Sequence, residues 1–570
     1  MDSMSEYRRW LGFVGEDELR ELKSIADNPA EIEDRFYRAL SFGTAGMRGV
    51  LGAGLNRMNT WNVIRATRAL AKYILSVPGG AERGVAIAYD SRKFSPEFAL
   101  EAALTLAASG VKAMLFDSLR PVPVLSYTVR HLGAIAGVVI TASHNPPAYN
   151  GYKVYWEDGG QIAPERAKAI QALIDETDFA ECLPMDEAEA RSKGLLVTIP
   201  PSLDDDYTEM VKGLCVNPGL AREMGGKIKI VYTPLHGSGN VPVRRVLKEL
   251  GFADVHVVPE QEAPDAAFPT VAQPNPEDPA AFTLALKLRE ALSADAVFGT
   301  DPDCDRVGIA VLDHEGGVHI LSGNQIGCLL LDYILSQKAE RGALPENAAA
   351  VKSFVSTEMA RAIASAYGAA TFDVPTGFKY IAEKIQQFED TGTHTFVFGF
   401  EESFGYLSGT QVRDKDGVNA CMLIAETAAF YKKRGMTLYD ALMGLYKKYG
   451  WFLEKTMSHT LTGKDGQAKI ASIMRSLREN PPSEVAGLNV LAVRDYLAGT
   501  RTAGGKAEPI DFPVSDALYY ELEGGAWTAI RPSGTEPKVK LYVGIRENTE
   551  EAARALLDCC AQAALSLMDR

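Results

Sequence analysis

The sequence predicts an α/β protein of several domains, in which mostly parallel sheets are covered by helices on both faces. The chain has 570 residues, which is too long for one hydrophobic core, so we expect three to five domains. Hydrophobic residues make up 46% and charged residues 23%, as in ordinary globular proteins. Apolar stretches of strand length alternate with helical patterns, which is typical of parallel sheets.

The elements follow one another in a regular order along the chain. Residues 1–40 have a helical pattern, with apolar side chains at helical spacing from Trp10 to Ile25. A strand pattern at 85–89, a helical pattern at 96–109 and strand patterns at 111–116 and 134–140 follow. Turn-rich positions near residues 200, 320 and 450 mark the boundaries. We therefore predict domains at 1–200, 201–320, 321–450 and 451–570.

The charge and cysteine content exclude several classes of function. The net charge is −15, from 59 basic and 74 acidic residues. This argues against nonspecific binding to nucleic acid or to anionic membranes, which needs a basic surface. The seven cysteines are scattered without a CxxC pair, which favours free thiols and offers no zinc site. No signal peptide or membrane-length apolar run is recognisable, so we expect a cytoplasmic protein. We also expect a monomer or a homodimer.

The run Thr-Ala-Ser-His-Asn-Pro at residues 141–146 follows the apolar stretch at 134–140. In open α/β sheets, ligands bind at the carboxyl ends of strands. Ser143 is therefore a candidate nucleophile or a carrier of a transferred group. The alternative is a polar turn that caps the next helix.

Three acids alternate in the sequence Asp-Pro-Asp-Cys-Asp-Arg at residues 301–306. At strand spacing, Asp301, Asp303 and Asp305 face the same way, and their carboxylates repel unless a cation lies among them. Oxygen ligands point to Mg²⁺ or Mn²⁺. Arg306 could contact a phosphate or hold the carboxylates in place. The alternative is an acidic surface turn.

Another strand-to-loop pattern, Arg-Pro-Ser-Gly-Thr-Glu-Pro-Lys at 531–538, is typical of an anion cradle. Arg531 offers a forked pair of donors, and Ser533, Gly534 and Thr535 offer hydroxyls and accessible backbone N–H groups. A glycine-containing turn between two strands is the alternative.

Three further loops carry polar groups with weaker signals. Glu401, Glu402 and Ser403 could bind sugar hydroxyls, or they could belong to a helix N-terminus. A turn with Thr376, Gly377 and Lys379 could hold phosphate or select a sugar. Arg48 lies in a glycine-rich stretch that is either a phosphate-contacting loop or a plain connector.

Together these loops, TASHNP, DPDCDR, GFEESFGY and RPSGTEPK, resemble the α-D-phosphohexomutases in sequence and in order. The resemblance spans nearly the whole chain. It implies three α/β domains of shared topology and a smaller C-terminal α+β domain around a central cleft.

The resemblance also implies roles for these residues. Ser143 would carry a phosphate and, with Asp301, Asp303 and Asp305, bind Mg²⁺. Glu401 and Ser403 would bind the sugar, and the nonreacting phosphate would be held by Arg531, Ser533, Gly534 and Thr535. Lys153 would lie near the transferring phosphoryl group, with His144 as an acid–base group. Lys379 and Arg48 would also contact substrate, and the proton acceptor stays open among His144, Lys153 and Lys379.

The implied reaction interconverts glucose 1-phosphate and glucose 6-phosphate through a phosphoserine and a hexose 1,6-bisphosphate. Glucose 1,6-bisphosphate would be the activator, because it is also the intermediate. The Glu-Glu-Ser-Phe-Gly sequence at 401–405 looks like the glucose-type loop. Mannose and pentose phosphates remain alternative substrates. A Mg²⁺-dependent sugar phosphatase with an aspartate nucleophile and a phosphosugar-binding regulator are the alternatives outside the family's chemistry.

Overall fold

A computed structural model describes residues 2–43, 45–461, 466–532 and 538–569. It confirms an α/β protein with an antiparallel sheet in its C-terminal region. The chain forms two compact units. The first comprises residues 1–323 and 403–437, and the second comprises residues 324–402 and 438–570.

The first sheet has six strands in the order β1-β5-β4-β2-β3-β6. Its strands β4, β2, β3 and β6 are parallel to one another, and β5 and β1 extend it in antiparallel fashion. All five residues of β4 are buried, as their apolar sequence predicts. The strands are β1 (Gly46–Val50), β2 (Val85–Tyr89), β3 (Ala113–Leu115), β4 (Ala136–Ile140), β5 (Tyr149–Trp156) and β6 (Leu196–Thr198).

The second sheet repeats this arrangement with five strands in the order β11-β10-β9-β7-β8. Strands β9, β7 and β8 are parallel, and β10 and β11 are antiparallel additions. The strands are β7 (Lys229–Thr233), β8 (Asp254–Val257), β9 (Ala296–Thr300), β10 (Val307–Leu312) and β11 (Val318–Ile320). In both sheets, a buried parallel strand turns back into an antiparallel one. The two connections, 141–148 and 301–306, carry the candidate site residues.

Helices cover these sheets and form the N-terminal region. As predicted, the N-terminal region is helical, with three helices between residues 3 and 36. They pack through a cluster of aromatic side chains that includes Trp10, Phe36 and Phe179. The helices up to residue 292 are α1 (Ser3–Trp10), α2 (Glu16–Ser24), α3 (Pro29–Phe36), α4 (Thr60–Leu75), α5 (Gly80–Arg83), α6 (Ser95–Ala108), α7 (Val122–His131), α8 (Pro164–Glu176), α9 (Glu187–Ser192), α10 (Ser202–Gly213), α11 (Pro218–Met224), α12 (Asn240–Leu250), α13 (Pro259–Glu262) and α14 (Thr283–Leu292).

The second unit contains a parallel sheet and an antiparallel sheet. The parallel strands β12 (Ala348–Ser353), β13 (Ala370–Val374) and β14 (Thr395–Glu401) lie in the order β13-β12-β14. The short strand β15 (Gly405–Leu407) belongs to the first unit. The antiparallel sheet has the order β16-β23-β22-β21-β18-β19-β20, and β17 pairs with β18. Its strands are β16 (Trp451–Thr460), β17 (Glu484–Val485), β18 (Leu488–Asp495), β19 (Thr500–Ala503), β20 (Lys506–Pro509), β21 (Leu518–Leu522), β22 (Trp527–Pro532) and β23 (Lys538–Glu547).

In the described part of the chain, seven further helices follow residue 322, and α18 belongs to the first unit. They are α15 (Gly323–Glu340), α16 (Met359–Ala366), α17 (Phe378–Thr391), α18 (Gly417–Lys433), α19 (Leu438–Tyr449), α20 (Gly466–Glu479) and α21 (Glu550–Ser566). Short 3-10 turns occupy Phe179–Glu181, Gly225–Lys227, Pro279–Phe282, Glu523–Gly525 and Leu567–Asp569. Among the described residues, no helix combines the length and the apolar character that crossing a membrane requires.

Candidate active site

Ser143 lies in the connection between β4 and β5, at the carboxyl end of a buried parallel strand. Its backbone has a φ of 53°, in the left-handed region that a serine rarely adopts. The Ser143 N–H donates to Thr141 Oγ1 at 2.8 Å, and the Asn145 N–H donates to the Ala142 carbonyl at 3.2 Å. The side chain is buried, yet Oγ donates to Asp301 Oδ2 at 2.7 Å. The loop therefore aims the hydroxyl at the acidic cluster.

The three predicted carboxylates do come together, but not by the strand geometry that we expected. Strand β9 ends at Thr300, and residues 301–306 form a turn in which Cys304 has a φ of 50°. The Asp305 and Arg306 N–H groups both donate to Asp301 Oδ1. One ligand atom from each aspartate lies within 4.8 Å of the others, and all three side chains are buried. The three aspartates are therefore brought together by a turn that hydrogen bonds to Asp301 close, and not by the alternation of side chains along a strand.

Two lysines contact this acidic cluster, and sequence reasoning found only one of them. Lys153 on β5 places Nζ 2.9 Å from Asp303 Oδ2. Lys415, which precedes α18, places Nζ 3.0 Å from Asp305 Oδ2 and 3.0 Å from Asp414 Oδ1. A Cβ at Gly405 would lie 2.1 Å from Lys415 Cδ, so the lysine reaches the cluster only because residue 405 is glycine. The run Arg-Asp-Lys-Asp-Gly at 413–417 was the available signal.

The carboxylates carry more negative charge than the two lysines compensate. Burial and the neighbouring carboxylates raise the pKa of Asp301, whereas the Lys153 ammonium overcomes burial and lowers the pKa of Asp303. Asp303 Oδ1 and Asp305 Oδ1 are buried and accept no hydrogen bond from the described part of the chain. Buried carboxylate oxygens without donors fit a hard divalent cation, for which oxygen is the preferred ligand. The residues therefore fit a metal such as Mg²⁺.

Other predicted residues surround Ser143. His144 Nδ1 is 3.1 Å from Ser143 Oγ, and burial together with Arg306 and Arg48 holds the pKa of His144 well below 6.5. Its imidazole is therefore neutral at pH 7. Arg48 on β1 is exposed and donates from Nη1 to Asn145 Oδ1 at 3.0 Å. Arg306 is ion-paired with Glu277, so its guanidinium has a protein partner besides any phosphate.

A buried arginine that sequence reasoning missed lies beneath the Ser143 loop. The Arg92 side chain has no exposed surface, and its Nη atoms donate to the carbonyl oxygens of Ser143, Asn145, Pro146 and Tyr149. Asp90 supports it from the end of β2, with Oδ2 3.5 Å from Arg92 Nε. One guanidinium thus serves four carbonyl oxygens, which its forked set of N–H donors makes possible.

In the second unit, the carboxyl ends of three parallel strands bring polar groups to one sheet edge. Glu401 ends β14 and accepts from the Gly377 N–H at 2.6 Å, and Gly377 has a φ of 117° that favours glycine. Glu402, the next residue, accepts from the hydroxyls of Ser353 at 2.7 Å and Ser356 at 3.3 Å. This edge is the usual place for ligands in such sheets.

The remaining candidates are divided between the units. Lys379 is buried in the first turn of α17 and Thr376 is half-buried, both in the second unit. Arg531 is half-buried on β22, opposite Lys540 of β23. Ser403 is half-buried and belongs to the first unit. Ser533, Gly534 and Thr535 lie outside the described residues, so their predicted role stays a prediction.

The first unit therefore holds a hydroxyl, three carboxylates and two ammonium groups at the strand ends of α/β sheets. These groups are typical of a phosphoryl-transfer enzyme, because catalysis of that reaction depends mainly on positioning and on electrostatic stabilisation. Comparison with known proteins gives the family. Four domain models of the phosphoglucomutase/phosphomannomutase family match this chain. Alpha/beta/alpha domain I matches residues 39–181, domain II residues 205–316, domain III residues 322–449 and the C-terminal domain residues 476–560.

Relatives agree with these matches over most of the chain. A phosphoglucomutase of Staphylococcus epidermidis is 38% identical over 90% of this chain and 92% of its own. One from Staphylococcus aureus is 37% identical over 92% and 93%. The crystal structure of a putative phosphomannomutase from Thermus thermophilus superposes with a TM-score of 0.69 at 25% identity, covering 93% of this chain and 99% of that one. The chain belongs to the phosphoglucomutase/phosphomannomutase family, and it is a phosphohexomutase.

Proposed function

We propose that this enzyme interconverts glucose 1-phosphate and glucose 6-phosphate through a phosphate carried on Ser143. The observation that carries the proposal is the 2.7 Å contact of Ser143 Oγ with Asp301 in a cluster of three buried aspartates. A hydroxyl in that position can hold a phosphate whose charge the cluster's cations neutralise. No polar turn at the surface would need such a setting.

The reaction transfers a phosphoryl group twice. The phosphorus–oxygen bond to Ser143 breaks as one forms to a free hydroxyl of the hexose monophosphate, and that hydroxyl loses its proton to a base. The product, glucose 1,6-bisphosphate, then returns its other phosphoryl group to Ser143. The proton that the sugar hydroxyl releases ends on Ser143 Oγ as that oxygen leaves phosphorus, and Ser143 gives it up again when it is rephosphorylated. We assign the relay of this proton at Ser143 Oγ to the neutral imidazole of His144, because its Nδ1 is 3.1 Å away, whereas Lys153 is engaged with Asp303.

Asp301, Asp303, Asp305 and the Ser143 phosphate would hold Mg²⁺. When bound, the ion supplies positive charge that stabilises the phosphoryl oxygens. Lys153 adds an ammonium on the Asp303 side, and Lys415 adds one on the Asp305 side. Both lysines are fixed by these ion pairs before substrate arrives, so little reorganisation is needed during transfer.

Several further residues would bind the substrate. Glu401 accepts from the Gly377 N–H, and a carboxylate is the kind of acceptor that sugar hydroxyls bind. We assign Thr376, Gly377 and Lys379 to the substrate as well, and Arg531, Ser533, Gly534 and Thr535 to the nonreacting phosphate. Ser403 would bind the sugar, and Arg48 and Arg306 would contact phosphate. Backbone amides and an arginine suit a phosphate that arrives at either end of the sugar.

Glucose is the favoured sugar because the 401–405 loop looks like the glucose-type sequence and the relatives reported above at 37–38% identity are phosphoglucomutases. Phosphomannomutase and phosphopentomutase activity are the alternatives. We also propose a cytoplasmic location, because no disulfide joins the seven cysteines, all of which the structure describes, and six of them are buried.

A coupled assay on three sugar 1-phosphates tests this choice. With Mg²⁺ and the matching bisphosphate, kcat/KM should be highest for glucose 1-phosphate over mannose 1-phosphate and ribose 1-phosphate. Activity without added bisphosphate should fall as phosphoenzyme is lost. A higher kcat/KM on mannose or ribose 1-phosphate would replace glucose as the substrate without changing the chemistry.

A further inference from the structure

The segment at residues 259–279 is rich in proline, and it gave no functional signal in the sequence. In the structure part of it is buried. Phe268 is 1% exposed and has a φ of 46°, a conformation that costs about 1 kcal/mol or more for a residue other than glycine. Such a residue persists only when its surroundings hold it in place.

Two sets of contacts hold the segment on the first unit. His236, in the loop after β7, has Nε2 2.9 Å from Thr270 Oγ1 and Nδ1 3.1 Å from the Ala263 carbonyl oxygen. Gln261 donates from Nε2 to Thr270 Oγ1 at 3.0 Å, and its Oε1 accepts from the Thr233 hydroxyl at 2.6 Å. The segment is thus fixed to the end of β7 on both sides of Phe268.

The ring of Phe268 meets the arginine beneath the Ser143 loop. Arg92 Cζ lies 5.1 Å from the centre of that ring, within the range of a cation–π contact. Both side chains are buried, so water does not weaken the attraction. On its other side, Arg92 donates to the carbonyls of Ser143, Asn145, Pro146 and Tyr149.

We propose that Phe268 is a positioning residue for the Ser143 loop, acting through Arg92. The Phe268 ring holds the Arg92 guanidinium in one orientation. The guanidinium in turn holds four carbonyl groups of the loop that presents the Ser143 hydroxyl to Asp301. The proline-rich segment, which lies in the second predicted domain, therefore helps to position the Ser143 loop of the first predicted domain. The claim for catalysis rests on the proposed function of Ser143.

The test compares Phe268→Leu with Phe282→Leu. Both remove a buried ring and keep an apolar side chain, but Phe282 packs against Gly299 and Gly308 in the core of the second sheet. Amide hydrogen exchange of a peptide covering 141–150 is the first measurement. It should be about 10- to 30-fold faster in Phe268→Leu than in wild type, the range of a desolvated arginine–ring contact, and unchanged in Phe282→Leu.

Steady-state kinetics on glucose 1-phosphate is the second measurement. Phe268→Leu should lower kcat by about 10-fold with KM within about 2-fold, because the loop positions the transferring group and not the bound sugar. Should Phe268→Leu fail to fold, Phe268→Met removes the ring while keeping similar volume, and the same values are expected.

The outcomes separate this inference from the proposed function. Equal exchange at 141–150 in wild type and Phe268→Leu would overturn the inference, whatever the activity. So would an equal loss of kcat in Phe282→Leu, which would show a general effect of core packing. Faster exchange in Phe268→Leu together with a wild-type enzyme that never carries phosphate on Ser143 would keep the structural link and refute the proposed function.

Discussion

Replacing Asp416 by asparagine should remove a pH dependence from the stability of the first unit. Asp416 is the N-cap of α18, and its Oδ1 accepts from the Asn419 N–H at 2.9 Å and from the Tyr207 hydroxyl at 2.9 Å. Its Oδ2 is buried and accepts no hydrogen bond from the described residues. Burial raises the pKa of Asp416 from its ordinary 3.8 to about 6.

The sign and size follow from proton linkage. Because the unfolded chain releases this proton at lower pH than the folded one, the free energy of unfolding falls as pH rises from about 4 to about 6, and is flat above. A shift of about two pKa units is worth about 3 kcal/mol in total. Between pH 4.5 and 7.5 the change is about 2 kcal/mol, since part of the loss has already occurred at the lower pH.

Urea unfolding of wild type and Asp416→Asn, followed at α18 by pulsed hydrogen exchange, measures this change. Asparagine caps helices as well as aspartate, so the cap itself is kept. The stability of the variant relative to wild type should rise by about 2 kcal/mol from pH 4.5 to 7.5. The control is Asp186→Asn, at the exposed N-cap of α9. Its stability relative to wild type should not rise in this way between pH 4.5 and 7.5. Parallel curves for wild type and Asp416→Asn would refute the reasoning.

Three further predictions concern the site. Lys415→Met should lower kcat by about 100-fold or more, because it removes an ammonium 3.0 Å from Asp305. The same variant should bind Mg²⁺ more tightly in calorimetry, because a competing cation is gone, and weaker Mg²⁺ binding would contradict this. Asp303→Asn should abolish the thermal stabilisation by Mg²⁺, which in wild type reaches about 2.7 kcal/mol at 100 times Kd, and a retained response would place the metal elsewhere. Arg531→Ala should raise KM by about 10-fold with a smaller effect on kcat, and a pure loss of kcat would argue against phosphate binding.

The sequence predicted those parts of the fold and site that local patterns encode. The buried strand before Ser143 and the three aspartates were visible because apolar runs and charge spacing are properties of neighbouring residues. The expectation that strand spacing brings the aspartates together was wrong, because a turn in which Cys304 has a left-handed conformation does so. A cysteine carries no signal for that conformation.

Residues that arrive from distant parts of the chain escaped prediction. Lys415 reaches Asp305 from another part of the first unit, and only the space left by Gly405 lets it pass. Arg92 reads in sequence as one more charged residue after a strand, although the fold buries it completely beneath Ser143. Such contacts depend on packing between sheets, which one sequence does not reveal.

The most direct test is to incubate active enzyme and Mg²⁺ with glucose 1,6-bisphosphate carrying labelled phosphate, and then to map the label on peptides. We predict an acid-stable phosphate on Ser143 that chases into glucose monophosphates when unlabelled substrate is added. Full turnover with label on an aspartate of the 301–305 loop, or with no label on the protein, would contradict the account.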